Sequence, residues 1–272
     1  MPSFVRTSLV WAAAMTLVSS IAVGLVSVAP AQAAPTGAGR THPIMLVPGE
    51  RIQSDLTQYA SYIWGGYADD NTSGNTYTSA SGSWVEPSVK CNSEDRVTIF
   101  WVGLDGLTSN TVEQAGTYAQ CFQGTASYFT WWEMYPTTNI QIVGTAKAGD
   151  HIAASVSFAG GKFTLKLTDS TTTAASFSTK QACGSSPKCS RSSADWIVER
   201  PSGATGVFPL AQFAPWKLTG ASVTSGSTTG TIKTFPDDQV TMVDTTQTYP
   251  LATDSALNAA GNSFTATWKN SY

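Results

Sequence analysis

Three short stretches of this chain set a carboxylate among aromatic residues. In IFWVGLDG (residues 99–106), side chains that alternate across a strand put Trp101, Gly103 and Asp105 on one face. Phe100, Val102 and Leu104 take the other face. In TWWEMYP (130–136) the same period joins Trp131, Glu133 and Tyr135 against Trp132 and Met134. In ADWIVERP (194–201) Asp195, Ile197 and Glu199 oppose Trp196 and Val198. Each stretch pairs an apolar face with a face that carries an acid. A sheet with a wet outer face is one reading. A groove for an extended polymer, with aromatics to grip it and acids to move protons, is the other.

Competing chemistries lack parts. The two histidines are His42 and His151, and neither has the G-x-S-x-G or comparable nucleophile setting of a hydroxyl-based hydrolase. Zinc would need more imidazole or free thiolate than this chain offers. A GxxxxGK phosphate loop and a CxxC pair are both missing from the sequence. No metal and no cofactor is therefore expected, and carboxylates, amides and water remain. Glu133 and Glu199 would suit a glycosidase with two carboxyl groups. Trp101 and Trp131 would suit a non-catalytic, lectin-like sandwich that stacks sugars. A carboxyl working with an amide would suit hydrolysis by an activated water. The residues taken singly leave these three open.

The elements that must position these groups read as strands. From Tyr59 onward, short runs of Val, Ile, Thr, Phe, Tyr and Trp are parted by Gly, Ser, Asn and Asp. HIAASVSFAGGKFTLKLTDS alternates on both sides of Gly160-Gly161, a hairpin signal. A turn of helix at Gln53–Ser61 is the only helical feature expected. The spacing predicts one all-β domain over residues 59–272, a sandwich or barrel. Residues 1–33 read as a secretory signal: Arg6, an apolar run from Leu9 to Val28, and the small-x-small triplet Ala31-Gln32-Ala33. The run is about long enough to span a bilayer, so a retained anchor is the competing reading. The triplet and the Pro/Ala/Gly-rich stretch after it favour cleavage, which gives an exported protein with no membrane partner. Residues 34–58, broken by Pro35, Pro43 and Pro48, read as a short pro-segment or tail.

Charge narrows the partners. The chain has 15 Lys+Arg against 18 Asp+Glu; losing Arg6 with the signal leaves 14 against 18, a net of −4. That balance offers no footprint for nucleic acid. Charged residues make up 12% of the chain, about half the usual share. Few ion pairs stand to be broken as carboxylates take up protons, so the composition permits work in acid. The four cysteines suit two disulfides in an exported chain. Cys183 and Cys189 bracket GSSP, a natural turn, and pairing them leaves Cys91 for Cys121.

WGGY, YTSASGSWVEPS, FWVGLDG, VEQAG, TWWEMYP and ADWIVE stand in this order, followed by FPLAQFAPWKLTGA. This ordered set resembles the glutamic peptidases, the eqolisin family of secreted, acid-acting endopeptidases. The resemblance implies a concanavalin-like β-sandwich of two large antiparallel sheets. It implies catalytic roles for Gln114 and Glu199, and a groove lined by Trp101, Asp105, Trp131 and Glu133. It further implies polypeptide substrates, no cofactor and a monomer. Glu199 would take a proton from water and return it to the leaving nitrogen, while the Gln114 amide holds the oxyanion. The chain departs from the family at Arg200-Pro201, where an acid and an aromatic more often follow the glutamate. The span from Gln114 to Trp131 is a little longer and holds Cys121, and the pro-segment is short.

Overall fold

β-Branched and aromatic side chains favour a pleated, half-buried backbone, and glycine, serine and asparagine break it. In chain order the resulting strands are β1 (Gln58–Ser61), β2 (Trp64–Asp69), β3 (Tyr77–Val85), β4 (Val89–Lys90), β5 (Arg96–Leu104), β6 (Val112–Phe122) and β7 (Thr125–Tyr135). They continue as β8 (Thr138–Ala146), β9 (His151–Ala159), β10 (Lys162–Asp169), β11 (Phe177–Ala182), β12 (Ala194–Glu199), β13 (Ser202–Gly203) and β14 (Gly206–Val207). The last are β15 (Gln212–Phe213), β16 (Trp216–Ser225), β17 (Thr228–Gly230), β18 (Asp237–Val243), β19 (Pro250–Asp254) and β20 (Phe264–Trp268). This computed structural model describes residues 58–203, 206–246 and 248–272. The expected signal segment, His42 and nearly all of the expected pro-segment lie outside the described residues.

The strands join in the order β11-β10-β9-β3-β16-β20-β19-β18-β2-β12-β5-β6-β7-β8. β16 is where this path folds over. Its first residues, Trp216 to Leu218, pair with β20, and from Thr219 on it pairs with β3 through an irregular register. One ladder thereby becomes two stacked sheets, with β3 and β9 lying over β5, and β9 and β10 over β6. The result is a β-sandwich. Where the turn chemistry is strict the sequence obeys it: Gly160 and Gly161 between β9 and β10 have φ of 58° and 77°, the positive pair a tight hairpin needs.

Residues 58–61 differ from the expected helical turn. They form β1, laid parallel to β18 with Tyr59 opposite Val240. The stretch of β18 before Met242, which β19 leaves unpaired, supplies hydrogen bonds, and Tyr59 is buried on an apolar layer. Those gains outweigh whatever helix propensity the segment has.

Two apolar layers result. The larger fills the space between the sheets and includes Phe100, Val102, Leu104, Trp196, Val198, Phe163, Leu165 and Trp216. The smaller covers the outer face of the sheet that contains β5, β6, β7 and β12, and includes Trp64, Ile99, Trp101, Tyr118, Phe129, Trp131 and Ile197. Cys91 is joined to Cys121 and Cys183 to Cys189. Among the described residues no helix is long and apolar enough to cross a membrane.

Candidate active site

Register places the candidate residues in three rows across that outer face. Glu133 on β7 lies opposite Gln114 on β6, which lies opposite Gly103 on β5, which lies opposite Asp195 on β12. The next row is Trp131, Gly116, Trp101 and Ile197. The third runs Phe129, Tyr118, Ile99, Glu199 and, on β2, Trp64. Directly opposed residues of an antiparallel pair share a face, so the tryptophans, Gln114, Glu133 and Glu199 all look the same way. The alternate residues on these strands form the core between the sheets, and that burial fixes which face the acids occupy.

Two glycines make room for the indoles. A Cβ at Gly116 would lie 2.0 Å from the Phe100 carbonyl oxygen and 2.7 Å from Trp101 Cβ. One at Gly103 would lie 2.7 Å from Trp101 Cζ3. The Trp101 ring therefore leans its carbocyclic edge over Gly103, level with Gln114. Its other edge reaches the glutamate: the indole N–H donates to Glu199 Oε2 at 2.8 Å. Trp64 packs edge-on against Trp101 with ring centroids 4.9 Å apart.

Gln114 is held from the opposite side. Its Nε2 donates to Glu133 Oε2 at 2.8 Å. Both side chains are buried, and so is Glu199. Gln114 Oε1, Glu199 Oε1 and Trp131 Nε1 are buried with no hydrogen-bond partner in the protein. Trp64 Nε1 and Asp195 Oδ1 on the same face are unpartnered too; unsatisfied buried polar atoms are costly and uncommon, so five on one face mark a surface that binds something.

Burial sets the electrostatics. It pushes the Glu199 carboxyl well above its ordinary range; the Trp101 N–H opposes the rise, and Glu133's charge adds to it. The Trp64 N–H also opposes it, lying near the carboxyl without closing a full hydrogen bond. Burial lifts Glu133 to about 8, against donation from Gln114 and the Ile140 backbone. Below that pH Glu133 is neutral. That removes the charge which lifts Glu199 further.

Asp105 departs from its expected face. β5 ends at Leu104, and Asp105 turns out of the strand with φ of 69°. Its carboxylate accepts from the backbone N–H of Arg191 at 2.7 Å and of Ser192 at 2.8 Å. It also accepts from the hydroxyls of Ser109, Thr111 and Ser192. Asp105 thus ties the β5–β6 connection to the segment that leads from Cys189 into β12. Two neighbouring acids, Glu113 and Asp195, were not among the expected site residues. Glu113 is pushed up by burial and by Asp105's charge, and Asp195 by burial foremost. Asp195 accepts from Ser193 Oγ at 3.2 Å. Alternation did put Asp195 on Glu199's face, but nothing in the sequence marks either acid as part of a buried cluster.

A protein-family model described as the Peptidase A4 family matches residues 62–268. The chain belongs to this family. It is a peptidase of the eqolisin type. Among solved structures it is similar to Scytalido-glutamic peptidase bound to a peptide-based transition-state analogue. That match has 23% identity and a TM-score of 0.64, and covers 76% of this chain and 98% of that one. SCP-B, an eqolisin solved with the tripeptide Ala-Ile-His, matches with 22% identity, 76% and 98% coverage and a TM-score of 0.63. Aspergilloglutamic peptidase from Aspergillus niger matches with 24% identity, 64% and 99% coverage and a TM-score of 0.56. These likenesses concern the fold. A comparison with curated proteins returns no match. For an A4 peptidase the geometry has a clear layout: an acid keyed by an indole, an amide keyed by a second acid, and an apolar floor between them.

Proposed function

We propose that this A4 peptidase is a secreted, monomeric endopeptidase that works in acid through Glu199, Gln114 and an activated water. The observation that carries the reading is the pair of half-satisfied side chains on one face. Glu199 is fixed through Oε2 and Gln114 through Nε2, and each keeps its Oε1 without a protein partner. The Glu199 carboxylate takes a proton from water as the water oxygen bonds to the scissile carbonyl carbon. Negative charge moves onto the carbonyl oxygen. The second Nε2 hydrogen of Gln114 is available to it, and Gln114 Oε1 can accept from the attacking water. On collapse the C–N bond breaks and Glu199 passes its proton to the leaving nitrogen. The carboxylate is then restored with no other reactant consumed.

In acid Glu133 is neutral, so its charge no longer opposes ionisation of Glu199. Trp101 and Trp131 would hold the extended polypeptide. Glu133 is engaged by Gln114 and the Ile140 backbone, which argues against its use as the free second carboxyl of a glycosidase. Export follows from the signal-like segment 1–33 and from two disulfides, with residues 59–272 as the working domain. The test is digestion of a denatured protein at about pH 3 and about pH 7, with pepstatin and with EDTA. Cleavage at the lower pH that survives both additions is expected. Loss of activity with EDTA, or no cleavage at either pH, would sink the reading.

A further inference from the structure

The sandwich has a second outer face, on the far side of the core from the groove. It is formed by β11, β10, β9, β3 and β16. Alternation there is strict: in β10 Phe163, Leu165 and Leu167 are buried while Lys162 and Lys166 are exposed. Register aligns the outward residues into rows. One row is Ser79, Ser157, Thr164 and Lys180, and the next is Ser81, Ser155, Lys166 and Ser178. Lys162 lies on β10 beyond Thr164, so three ammonium groups flank one another across two strands.

At the other end of the face is a cavity of about 390 Å³, edged by His151 and Lys217, with hydroxyls from Ser83, Thr168, Ser170 and Thr219 and apolar wall from Trp84, Val85, Ile152 and Pro215. Its size is at the small end of ligand pockets, roughly 300–1,000 Å³.

This face has no counter-charge of its own. Asp169 is the sole carboxylate on the five strands, and its side chain is buried in the interior. Among the described residues, none of Lys162, Lys166, Lys180 and Lys217 has a carboxylate within ion-pair distance. The whole chain meanwhile carries a net charge of −3. Four cations with no carboxylate partner among the described residues, gathered on one side of an acidic protein, repel one another, and an anionic partner would relieve that. Short hydroxyl side chains about 4.8 Å apart along each row offer donors and acceptors matched to a hydroxyl-bearing chain. No outward position on these strands carries Phe, Trp or Tyr, so the lysine rows offer no ring to stack on; the one indole nearby, Trp84, borders the cavity and is 3 % exposed.

We infer that this face is a binding site for an acidic polysaccharide, which lays its carboxylates along Lys162, Lys166 and Lys180 and seats a sugar in the His151–Lys217 cavity. Such a site would hold the exported peptidase on an anionic carbohydrate matrix by the face opposite the one that carries Gln114 and Glu199.

Binding to polygalacturonate at about pH 5, where uronate carboxylates are ionised, tests this by affinity electrophoresis. Neutral dextran and duplex DNA serve as the other probes. The full chain should bind polygalacturonate, bind dextran far less, and release it as salt rises. The triple variant Lys162→Gln, Lys166→Gln, Lys180→Gln should lose about tenfold or more in affinity. The pair His151→Gln, Lys217→Gln should lose affinity separately. All five positions are exposed, so both variants should melt like the parent. Binding unchanged in the variants, equal retention on dextran, duplex DNA bound as tightly as polygalacturonate, or no binding at all would each overturn the inference. None of these readouts depends on proteolysis.

Discussion

The indole N–H of Trp101 donates to Glu199 Oε2 at 2.8 Å from the neighbouring strand, and Trp101 itself lies opposite Ile197, two residues from the acid. The far edge of the same ring lies over Gly103, the residue level with Gln114. One rigid side chain therefore spans the floor between the two groups proposed to act, and it also biases the ionisation of one of them.

Trp101→Phe should move the pH profile. A hydrogen bond to the charged form favours that form, so its loss lets burial push the Glu199 carboxyl higher still. A bond to a charged group is worth about 1.5–3 kcal/mol, equivalent to about 1–2 pH units. The acid limb of kcat/KM, where Glu199 must ionise, should shift upward by about that amount. A variant with an unmoved limb would separate Trp101 from Glu199's chemistry.

The fold itself should be most stable in acid. Burial lifts Glu86 to about 8, Glu133 to about 8, Asp254 to about 8 and Asp69 to about 10. Each folded value is raised above the unfolded one, so between the two the native state holds more protons than the unfolded chain. Stability is then fully present below about pH 4 and falls as pH rises toward 8–10. Each such group costs about 1.4 kcal/mol per pH unit across its window. Melting at pH 4, 6 and 8 should show a steep decline. A melting temperature that rises over that range would contradict these protonation states.

Much of this was legible in the sequence, because period-two alternation constrains strands bounded by glycine and serine. The faces of β5, β7 and β12, the Gly160-Gly161 hairpin and the Glu199 side of ADWIVE all follow from it. Order along the chain cannot say which strands lie side by side. The Gln114–Glu133 and Trp101–Glu199 bonds needed the register, and so did the outer lysine rows. Alternation failed at Asp105 because a strand's end is set by what its last residues bond to. Here five donors, several of them some 80 residues away in sequence, pull Asp105 out of the pleat.

That arrangement makes Asp105 a test of position against chemistry. Asp105→Ala would orphan the buried N–H of Ser192 and the part-buried N–H of Arg191 and free the segment leading into β12. A loss of about 3 kcal/mol or more is expected from breaking such a network, measured by urea denaturation at acidic pH. Activity per folded molecule should fall less than stability does. If stability is unchanged while KM alone rises, Asp105 contacts substrate and the loop-tie account is wrong.

The last expectation separates the acids from each other. Glu199→Gln keeps size and the bond from Trp101 but removes the titrating group, so it should fold normally and lose nearly all turnover. Gln114→Ala removes the oxyanion donor and the water acceptor together, and should lose about a hundredfold to a thousandfold in kcat. Glu133→Gln differs in kind. Its amide oxygen can still accept from Gln114, so kcat in acid should stay within about tenfold of the parent. What should change is the alkaline side. In the parent, Glu133 ionises near pH 8 and its charge opposes that of Glu199, so activity should fall there. With glutamine at 133 that fall should disappear. A dead Glu133→Gln beside an active Gln114→Ala would mean that two carboxyls do the chemistry and the amide does not.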